Sequence, residues 1–403
     1  SKPAEGLSAG ERSALIDYYF ANYSSNYQEQ THQLYLARRA LVDSVENVQE
    51  VMVMKEMEAP RPAYVLDRGV YDNYGEAVYP GTPNSILPWK DDLPKNRLGL
   101  ARWLFDEDHP LTARVAVNRY WQNYFGRGIV RTTEDFGNQG ELPSHPQLLD
   151  WLAFEFVASG WDIKALQKLI VMSASYRQSS LGKDDLMEAD PDNLWIARGP
   201  QTRLSSEMVR DNALVASGLI NQRIGGESIR PYQPEGLWAM NSDTYVQDTG
   251  EDLYRRSLYV IWKRTVPHPT LQTFDQPERT QCTVRRQKTN TPLQALVLLN
   301  DPTYVEVAKV LGELITASNN EVEGITKAYR RLTGRLPTDE EIRLLVELKF
   351  QQLNKFKAAP DKASGWLNAG EYALDDDLEK AEVAANAVVA SVIINSDATI
   401  TKR

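Results

Sequence analysis

Side chains that could bind an anion are concentrated between Arg255 and Lys288. Eight Lys or Arg residues lie there against two acids, Asp275 and Glu278, so the local charge is +6 in a chain whose total is −10. Arginine pairs with carboxylate, sulfate or phosphate groups through a planar fork of N–H donors. A segment of this composition predicts either a surface that faces an anionic ligand or a set of arginines paired with internal carboxylates.

A predicted helix start follows this basic segment at once. Asn290 or Thr291 can cap the helix, and Pro292 suits its first turn. Because free N–H groups at a helix start attract negative charge, the neighbouring arginines and polar side chains are expected to form an anion site. The alternative is a capped, buried helix. Six residues form the candidate ligand-binding set of this segment: Arg279, Arg285, Arg286, Thr289, Asn290 and Gln294.

The arginines of residues 279–290 need partners if they are buried, because an unpaired buried charge is strongly destabilising. Asp275, Asp135 and Asp301 are the candidate partners in that case. In either case, we predict that residues 279–290 form the functional or organising centre of the protein.

Three residues are candidates for acid–base catalysis: Asp135, His145 and Asp275. Glu134, Asp135 and His145 lie in one loop between two predicted helices, and a carboxylate that met the histidine in a cleft could transfer protons. Asp275 lies inside the basic segment and could act on a ligand bound there. The structural alternative is that Asp135 caps a turn and His145 begins a helix.

Two tryptophans are candidate ligand-binding residues. Trp121 shares one side of a predicted helix with Asn118, a combination that suits sugar recognition and equally suits a protein core. Trp238 follows the extended loop Arg230–Pro234, and with Trp262 it could frame a sugar or the edge of a partner. The alternative for this loop is that it packs onto the rest of the protein.

Cysteine and histidine are scarce in this chain. The single cysteine, Cys282, excludes an internal disulfide, and its arginine neighbours would activate the thiol if it were accessible. A buried structural thiol is the alternative that we favour. The four histidines lack the i, i+4 spacing of a helical metal pair, so no metal site is predicted. No CxxCH motif is present, so no haem c is expected in this chain.

The elements that must position these residues are mainly α-helical, with a few short strands and a long ordered N-terminal arm. Helical periodicity and capping signals predict a helix or helix pair over 8–46 and helices over 206–217, 292–299, 302–316, 321–333, 338–356 and 378–395. Further signals predict a helix that ends at Gly126, one that begins at Ser144 with a capping box, and one capped by Asp162. Short strands are predicted at 51–54, 63–66 and 257–263, an ordered linker that wraps the body at 68–94, and a loop at 359–370.

Length and composition limit the class of protein. The 403 residues are predicted to form two parts, a tail of a preceding domain over 1–96 and a helical domain over 97–403. A pI near 5.2 argues against general nucleic-acid binding, which needs a basic face. No apolar run approaches the roughly 20 residues that span a bilayer, so no membrane span is predicted.

A series of motifs from Leu98 to Asp301 adds a resemblance to this description. Together they resemble the C-terminal domain of unknown function of planctomycete-type cytochrome c proteins, over roughly residues 97 to 403, and residues 1–96 resemble the end of the domain that precedes it. The motifs are Leu98–Leu104, His109–Arg119, Phe125–Val130, Glu134–Gly137, Ser144–Pro146, Leu149–Leu152, Ser173–Ser180, Arg230–Pro234, Tyr254–Ser257 and Asp275–Asp301.

The resemblance implies export to the periplasm, the cell surface or the extracellular space, but it implies no established reaction. In that family a cytochrome c module with CxxCH usually lies upstream. Because this chain lacks the motif, the resemblance places any haem c in an upstream segment or in a partner. The same resemblance implies a cytochrome c module or other subunits of an exported complex as partners.

Two functional hypotheses follow from the sequence. The first is a non-catalytic, extracytoplasmic binding or scaffold module of a cytochrome c-linked protein or complex, which contacts an anionic ligand through its arginine-rich segment. The second is an enzyme that acts on an anionic polysaccharide, sulfated or rich in uronic acids. A cleft that joins the arginines to a catalytic carboxylate would favour the enzyme, and a filled core around the arginines would favour the scaffold.

Overall fold

The protein is mainly α-helical, as predicted. A computed structural model describes residues 6–46, 48, 50–241 and 243–402. About 53% of the chain is helical, and the described residues form seventeen α-helices and two small antiparallel sheets. The chain divides into two compact units, Ser1–Asn84 with Pro88–Arg102, and Ser85–Leu87 with Trp103–Arg403.

The first unit contains a helix pair and a β-hairpin, and helix α3 begins in it. The helix pair confirms the prediction for 8–46, and Ser8 and Glu11 form a capping box at its start. The hairpin confirms the predicted strand at 63–66, and its second strand lies within the predicted linker. The elements are α1 (Ala9–Tyr23), α2 (Ser25–Glu46), β1 (Ala63–Leu66), β2 (Tyr74–Val78) and α3 (Arg97–Leu104).

The second unit contains the remaining elements. Its longer helices are α4 (Thr112–Phe125), α5 (Pro146–Ala158), α6 (Ile163–Met172), α9 (Ser206–Ser217), α11 (Pro292–Asn300), α12 (Pro302–Thr316), α13 (Glu321–Thr333), α14 (Asp339–Ala358), α15 (Pro360–Leu367) and α16 (Lys380–Ile394). Its short elements are α7 (Ala174–Arg177), α8 (Asp184–Ala189), β3 (Thr202–Arg203), α10 (Pro269–Thr273), α17 (Asp397–Ile400) and β4 (Thr401–Lys402).

Local capping signals determine where these helices begin and end. Asp162 accepts a hydrogen bond from the Ala165 N–H at the start of α6, as predicted. Gly126 ends α4 in the left-handed conformation, with φ of 79°, which glycine adopts without steric cost. The predicted helices at 206–217, 292–299, 302–316, 321–333, 338–356 and 378–395 are all confirmed within two residues at each end.

Two apolar clusters form most of the core of the second unit. The larger joins α9, α12, α13 and α16 through buried residues such as Leu311 and Val389. Gly312 allows α12 and α16 to approach closely, because a Cβ atom there would lie 2.6 Å from the Ala387 nitrogen. The smaller cluster joins α4, α5 and α6 around Val117 and Leu152.

Several local predictions are wrong. Val51–Met54 forms no strand, because no other strand pairs with it. Residues 257–263 form no strand either: Ser257–Tyr259 is a 3₁₀ turn, and only Val260 makes an isolated bridge, to Ile229.

Two further predictions are also wrong, one of a loop and one of a capping residue. The loop predicted at 359–370 contains helix α15, whose Ala363 and Leu367 are buried in an apolar cluster with residues of α16. At the start of α5, His145 occupies the cap position, but its side chain makes no capping hydrogen bond to the helix. Ser144, the predicted capping residue, bonds the Ile129 carbonyl instead.

Two arginines lie in the core of the second unit. Arg210 is 2% exposed and donates to the carbonyls of Leu253 and Arg255 at 2.6 and 2.8 Å, and to the Ser257 hydroxyl at 3.2 Å. Arg255 is fully buried and donates to carbonyl oxygens of the preceding loop, at Arg223, Gly225 and Glu227. Both arginines therefore hold irregular backbone through carbonyl oxygens.

Candidate anion-binding cleft

A cleft opens between β3, the start of α9 and the basic segment. Its empty volume is about 320 Å³, including the part that opens to solvent. Three of its lining residues are basic and one is acidic, and the others are polar or apolar. The lining residues are Arg203, Leu204, Ser205, Ser206, Phe274, Asp275, Arg286, Gln287, Lys288 and Gln294.

Gln294 fixes the geometry of the cleft from beneath. This side chain is buried, and its amide nitrogen donates to the Thr273 carbonyl at 3.0 Å and to the Thr289 hydroxyl at 3.1 Å. Its amide oxygen accepts a hydrogen bond of 3.0 Å from Arg203. The Arg203 guanidinium is thereby oriented by a neutral partner, so its positive charge is not neutralised by that contact.

Asp275 is the last residue of the same chain of hydrogen bonds, which runs from Arg203 through Gln294 and Thr289. Its carboxylate accepts from the Thr289 N–H at 2.7 Å and from the Thr289 hydroxyl at 2.9 and 3.0 Å, so both of its oxygens are engaged. Asp275 adopts a left-handed backbone conformation with φ of 61°, which aspartate tolerates better than most residues. The contacts connect the end of the basic segment to the turn after α10.

Arg286 is held over the start of α9 by an ion pair. Its guanidinium lies 2.7 Å from the Glu207 carboxylate, which also accepts from Ser206 at 3.0 Å and from Gln276 at 3.3 Å. Burial would raise the pKa of Glu207, but the hydrogen bonds from Arg286, its own backbone N–H and Ser206 outweigh burial and lower that pKa. Glu207 is therefore an ionised partner of Arg286.

Lys288 lines the cleft, and Lys402 lies close enough to Lys288 for the two positive charges to repel each other. Within the described residues, neither Lys288 nor Lys402 has a carboxylate within ion-pair distance. Lys288 keeps an exposed surface, yet its ammonium group is crowded enough that burial lowers its pKa, and the positive charge of Lys402 lowers it further. Lys402 itself lies 4.3 Å from the centre of the Tyr176 ring and donates to the Tyr124 carbonyl at 3.0 Å.

The charges around the cleft do not balance. Four cations are present, Arg203, Arg286, Lys288 and Lys402, against the two carboxylates of Asp275 and Glu207, so the net charge is +2. The start of α9 adds the positive end of its helix dipole on the same side. The arrangement can hold a group with two negative charges without first breaking an ion pair.

The structure brings together four of the residues predicted from the sequence and separates the others. Asp275, Arg286, Thr289 and Gln294 lie around the cleft, whereas Asn290 is exposed and makes no described hydrogen bond.

The remaining arginines of the basic segment lie outside the cleft. Arg285 pairs with Glu134 at 3.3 Å, with both side chains at least half exposed, and Arg279 lies 5.0 Å from the centre of the Trp262 ring. The alternative of a buried arginine cluster at 279–290 is therefore wrong, because the segment lies on the surface.

The predicted carboxylate partners of the arginines are also wrong. Asp301 caps α12 by accepting from the Thr303 N–H at 2.9 Å, and Asp135 accepts from the Gly137 N–H at 2.7 Å. The ion-pair partners that the arginines do have are Glu134 and Glu207.

The two candidates for acid–base catalysis in the loop, Asp135 and His145, are not paired with each other. His145 is exposed, and its Nδ1 lies 3.0 Å from the Ser144 hydroxyl. No hydrogen bond between His145 and Asp135 is found in the described part of the chain. Their placement matches the structural alternative, in which one caps a turn and the other begins a helix.

The aromatic and thiol predictions need correction. Trp238 is 6% exposed, because it packs against Lys263 at 4.4 Å and the Tyr245 ring at 5.1 Å, so its loop folds onto the protein. Trp121 is equally buried and stacks on Phe125, with ring centres 4.0 Å apart. Cys282 is exposed, so the favoured buried thiol is wrong.

Sequence reasoning missed three residues that matter at the cleft: Arg203, Glu207 and Lys402. Arg203 and Glu207 flank the predicted start of α9, and that helix start was the available signal for them. Lys402 carries no local signal, because it reaches the site only through the pairing of β4 with β3.

A comparison with known families assigns the chain. A family model described as "PSD1: Protein of unknown function (DUF1553)" matches residues 96–349, more than half of the chain. The chain belongs to the PSD1 family. The matched range of this PSD1 chain includes the cleft residues from Arg203 to Gln294, whereas Lys402 lies beyond it.

Three further findings describe this PSD1 chain. No curated protein and no solved structure matches it. None of the helices in the described ranges is long and apolar enough to cross a bilayer. Within those ranges, no group of three or more His, Cys, Asp or Glu side chains is placed to hold a metal ion.

Proposed function

We propose that this PSD1-family chain is a binding or scaffold module that holds an anionic ligand in the cleft between β3 and α9. The observation that carries the proposal is the net charge of +2 around a cleft in which Gln294 and Glu207 orient Arg203 and Arg286 before any ligand arrives. Preorganised cations favour binding because little side-chain entropy remains to be lost. Sulfate or carboxylate groups of a polysaccharide fit this charge and the fork geometry of arginine.

Binding is a better proposal than catalysis because the carboxylates at the cleft are already engaged. Both Asp275 oxygens accept hydrogen bonds from Thr289, and Glu207 is paired with Arg286. No histidine is among the lining residues of the cleft in the described structure. An acid–base pair would have to break one of these contacts before it could transfer a proton.

The proposal extends to the setting of the module. The motif resemblance supports a place in an exported, cytochrome c-linked protein or complex, at the periplasm or the cell surface. In that setting the haem belongs to an upstream segment or a partner, and the cleft anchors the assembly to an anionic polymer. Native material purified without denaturation should carry haem absorbance, and its absence from the intact particle would contradict the cytochrome link.

The cleft is tested by calorimetric titration with a sulfated dextran, with polygalacturonate as the carboxylated probe and neutral dextran as the control polymer. Removing one charge-assisted hydrogen bond costs about 1.5–3 kcal/mol, so Arg286→Gln should weaken binding by at least about tenfold. Lys288→Gln should weaken it as well, and the affinity of the unmodified protein should fall as salt rises.

Arg343→Gln is the matched control, because Arg343 is also an exposed arginine in an ion pair, with Glu340 at 2.6 Å. This variant should bind like the unmodified protein. Equal affinities for all three variants would show that the polymers bind elsewhere on the surface, and the proposal would then be wrong.

A further inference from the structure

A second cleft lies between the end of α4 and the loop at residues 190–196. Its empty volume, including the part open to solvent, is about 360 Å³. Its lining combines an aromatic stack, an arginine, an acid and aliphatic side chains. The residues that matter here are Trp121, Phe125, Arg127, Asp192, Leu194 and Ile196.

The backbone that carries Arg127 is held rigid by contacts within and around the motif at 125–130. Asn118 is fully buried and bonds both the Val130 N–H at 2.8 Å and the Val130 carbonyl at 3.0 Å. Gly128 is required where the chain wraps around this amide, because a Cβ atom would collide with Asn118 and the Val130 carbonyl. Arg127 is therefore presented from a fixed backbone.

The Arg127 guanidinium has one nitrogen in use and one without a partner. Its Nη2 lies 2.9 Å from the Asp192 carboxylate. Its Nη1 is buried, and among the described residues no hydrogen-bond partner is found for it. A buried donor without an acceptor is unfavourable, so this nitrogen is available to an acceptor that a ligand brings.

The loop that supplies Asp192 is held in a constrained conformation. Asp190 accepts from the N–H groups of Leu194 and Trp195 at 2.8 and 2.9 Å, which closes the loop on itself. Asn193 and Ile196 both have φ of 53°. This left-handed conformation is uncommon for any residue with a side chain, and it is a clear outlier for the β-branched Ile196. Such outliers cluster at ligand-binding sites and switch regions.

We propose that this second cleft binds a small carboxylate carried on a flat apolar body, and that the ligand competes with Asp192 for Arg127. The ligand carboxylate would accept from Nη1 and reach Nη2 as Asp192 leaves, which gives the paired contact that arginine favours with carboxylates. The rings of Trp121 and Phe125 stack on each other with 9° between their planes, and with the aliphatic Leu194 and Ile196 they form an apolar lining that suits a flat body.

The competition with Asp192 makes the proposal testable with small probes. Benzoate and phenylacetate should show saturable binding by protein-observed NMR titration, whereas benzamide, which has the same shape without the charge, should bind at least about tenfold more weakly. Asp192→Asn removes the internal competitor and should tighten benzoate binding by about two- to fivefold, the range expected for a partly exposed ion pair.

Arg127→Gln should abolish benzoate binding, and Arg127→Lys, which keeps the charge but loses the fork, should restore only part of it. Asp150→Asn is the matched control, because Asp150 forms a similar exposed ion pair with Arg114 at 2.7 Å. It should leave benzoate affinity unchanged.

Two results would overturn the proposal. The first is equal affinity of the unmodified protein for benzoate and benzamide, which would show that no oxyanion site is present. The second is weaker or unchanged benzoate binding in Asp192→Asn, a surface substitution that should not impair folding. Either result would mean that Arg127 does not offer Nη1 to a ligand carboxylate.

Discussion

Two groups of arginines in this protein have opposite roles. Arg210 and Arg255 are separated in sequence, buried in the core, and bonded mainly to carbonyl oxygens of the backbone. Arg285 and Arg286 are adjacent in sequence, exposed, and each is paired with one carboxylate. The first group holds the backbone of the core in place, and the second lies in ion pairs at the surface.

The difference shows what a charge cluster in a sequence can reveal. A cluster of like charges repels itself, so it is favourable at a surface where solvent screens it and a ligand can neutralise it. Arg210 lies 4.0 Å from the carboxylate of the adjacent Asp211, and Arg255, the first residue of the basic segment, bonds carbonyl oxygens, so the charge pattern of the sequence does not mark either arginine as buried. The charge of the basic segment matches the exposed position of residues 279–288, but it gave no sign that Arg255 is buried.

The largest expected effect comes from removing a core arginine. Arg210→Met should lower the free energy of unfolding by roughly 3–5 kcal/mol, because it leaves two carbonyls and a serine hydroxyl without their donor in a buried site. Urea denaturation followed by circular dichroism measures the change. A loss below about 1 kcal/mol would show that the surrounding backbone does not depend on this side chain.

A smaller effect concerns pH in the same buried region. Burial lowers the pKa of His268 from 6.5 to about 4, and the charge of Asp301 only partly opposes this. The unfolded state therefore binds more protons between pH 6.5 and 4, so stability falls as pH decreases through this window and the loss levels off near pH 4. Integrated over the window, the contribution is about 3 kcal/mol.

His268→Gln should reduce the pH dependence of unfolding between pH 7 and 4 relative to the unmodified protein. Carboxylates elsewhere titrate in both proteins, so the difference between the two curves isolates the histidine. Parallel curves would show that His268 is not held neutral by the fold.

The smallest expected effect concerns the exposed pair of Arg285 and Glu134. Arg285→Ala should change the free energy of unfolding by less than about 1 kcal/mol, because exposed ion pairs contribute little in water. Thermal unfolding beside Arg210→Met provides the direct comparison. A loss as large as that of Arg210→Met would remove the distinction between the two groups of arginines.

Much of the helical architecture could be predicted because its signals are local. Asp162, Gly126 and Pro292 mark helix ends through contacts within a few residues of themselves. Residues 257–263 were misassigned because their apolar run is typical of a strand, while the segment follows Arg255 in an irregular turn and pairs only at Val260. Periodicity cannot report whether a partner strand exists.

The cleft could be predicted only in part. The basic segment indicated Arg286, Thr289 and Gln294, since they lie close together in sequence around one helix start. Arg203 and Lys402 could not be joined to them, because their positions depend on packing between segments that are far apart. Trp238 looked accessible for a related reason: its covering residues, Tyr245 and Lys263, are brought to it only by the folded loop.

The pairing of β3 with β4 has a consequence for the order of folding. Arg203 is paired with Thr401, about two hundred residues later in the chain, so β3, which borders the cleft, gains its partner strand only after that much more of the chain has been made. Contacts of such long sequence separation form late, because the intervening loop must close first. Under the proposed function, a chain that stops before Thr401 lacks the strand that pairs with β3 and should bind the anion more weakly than the whole chain.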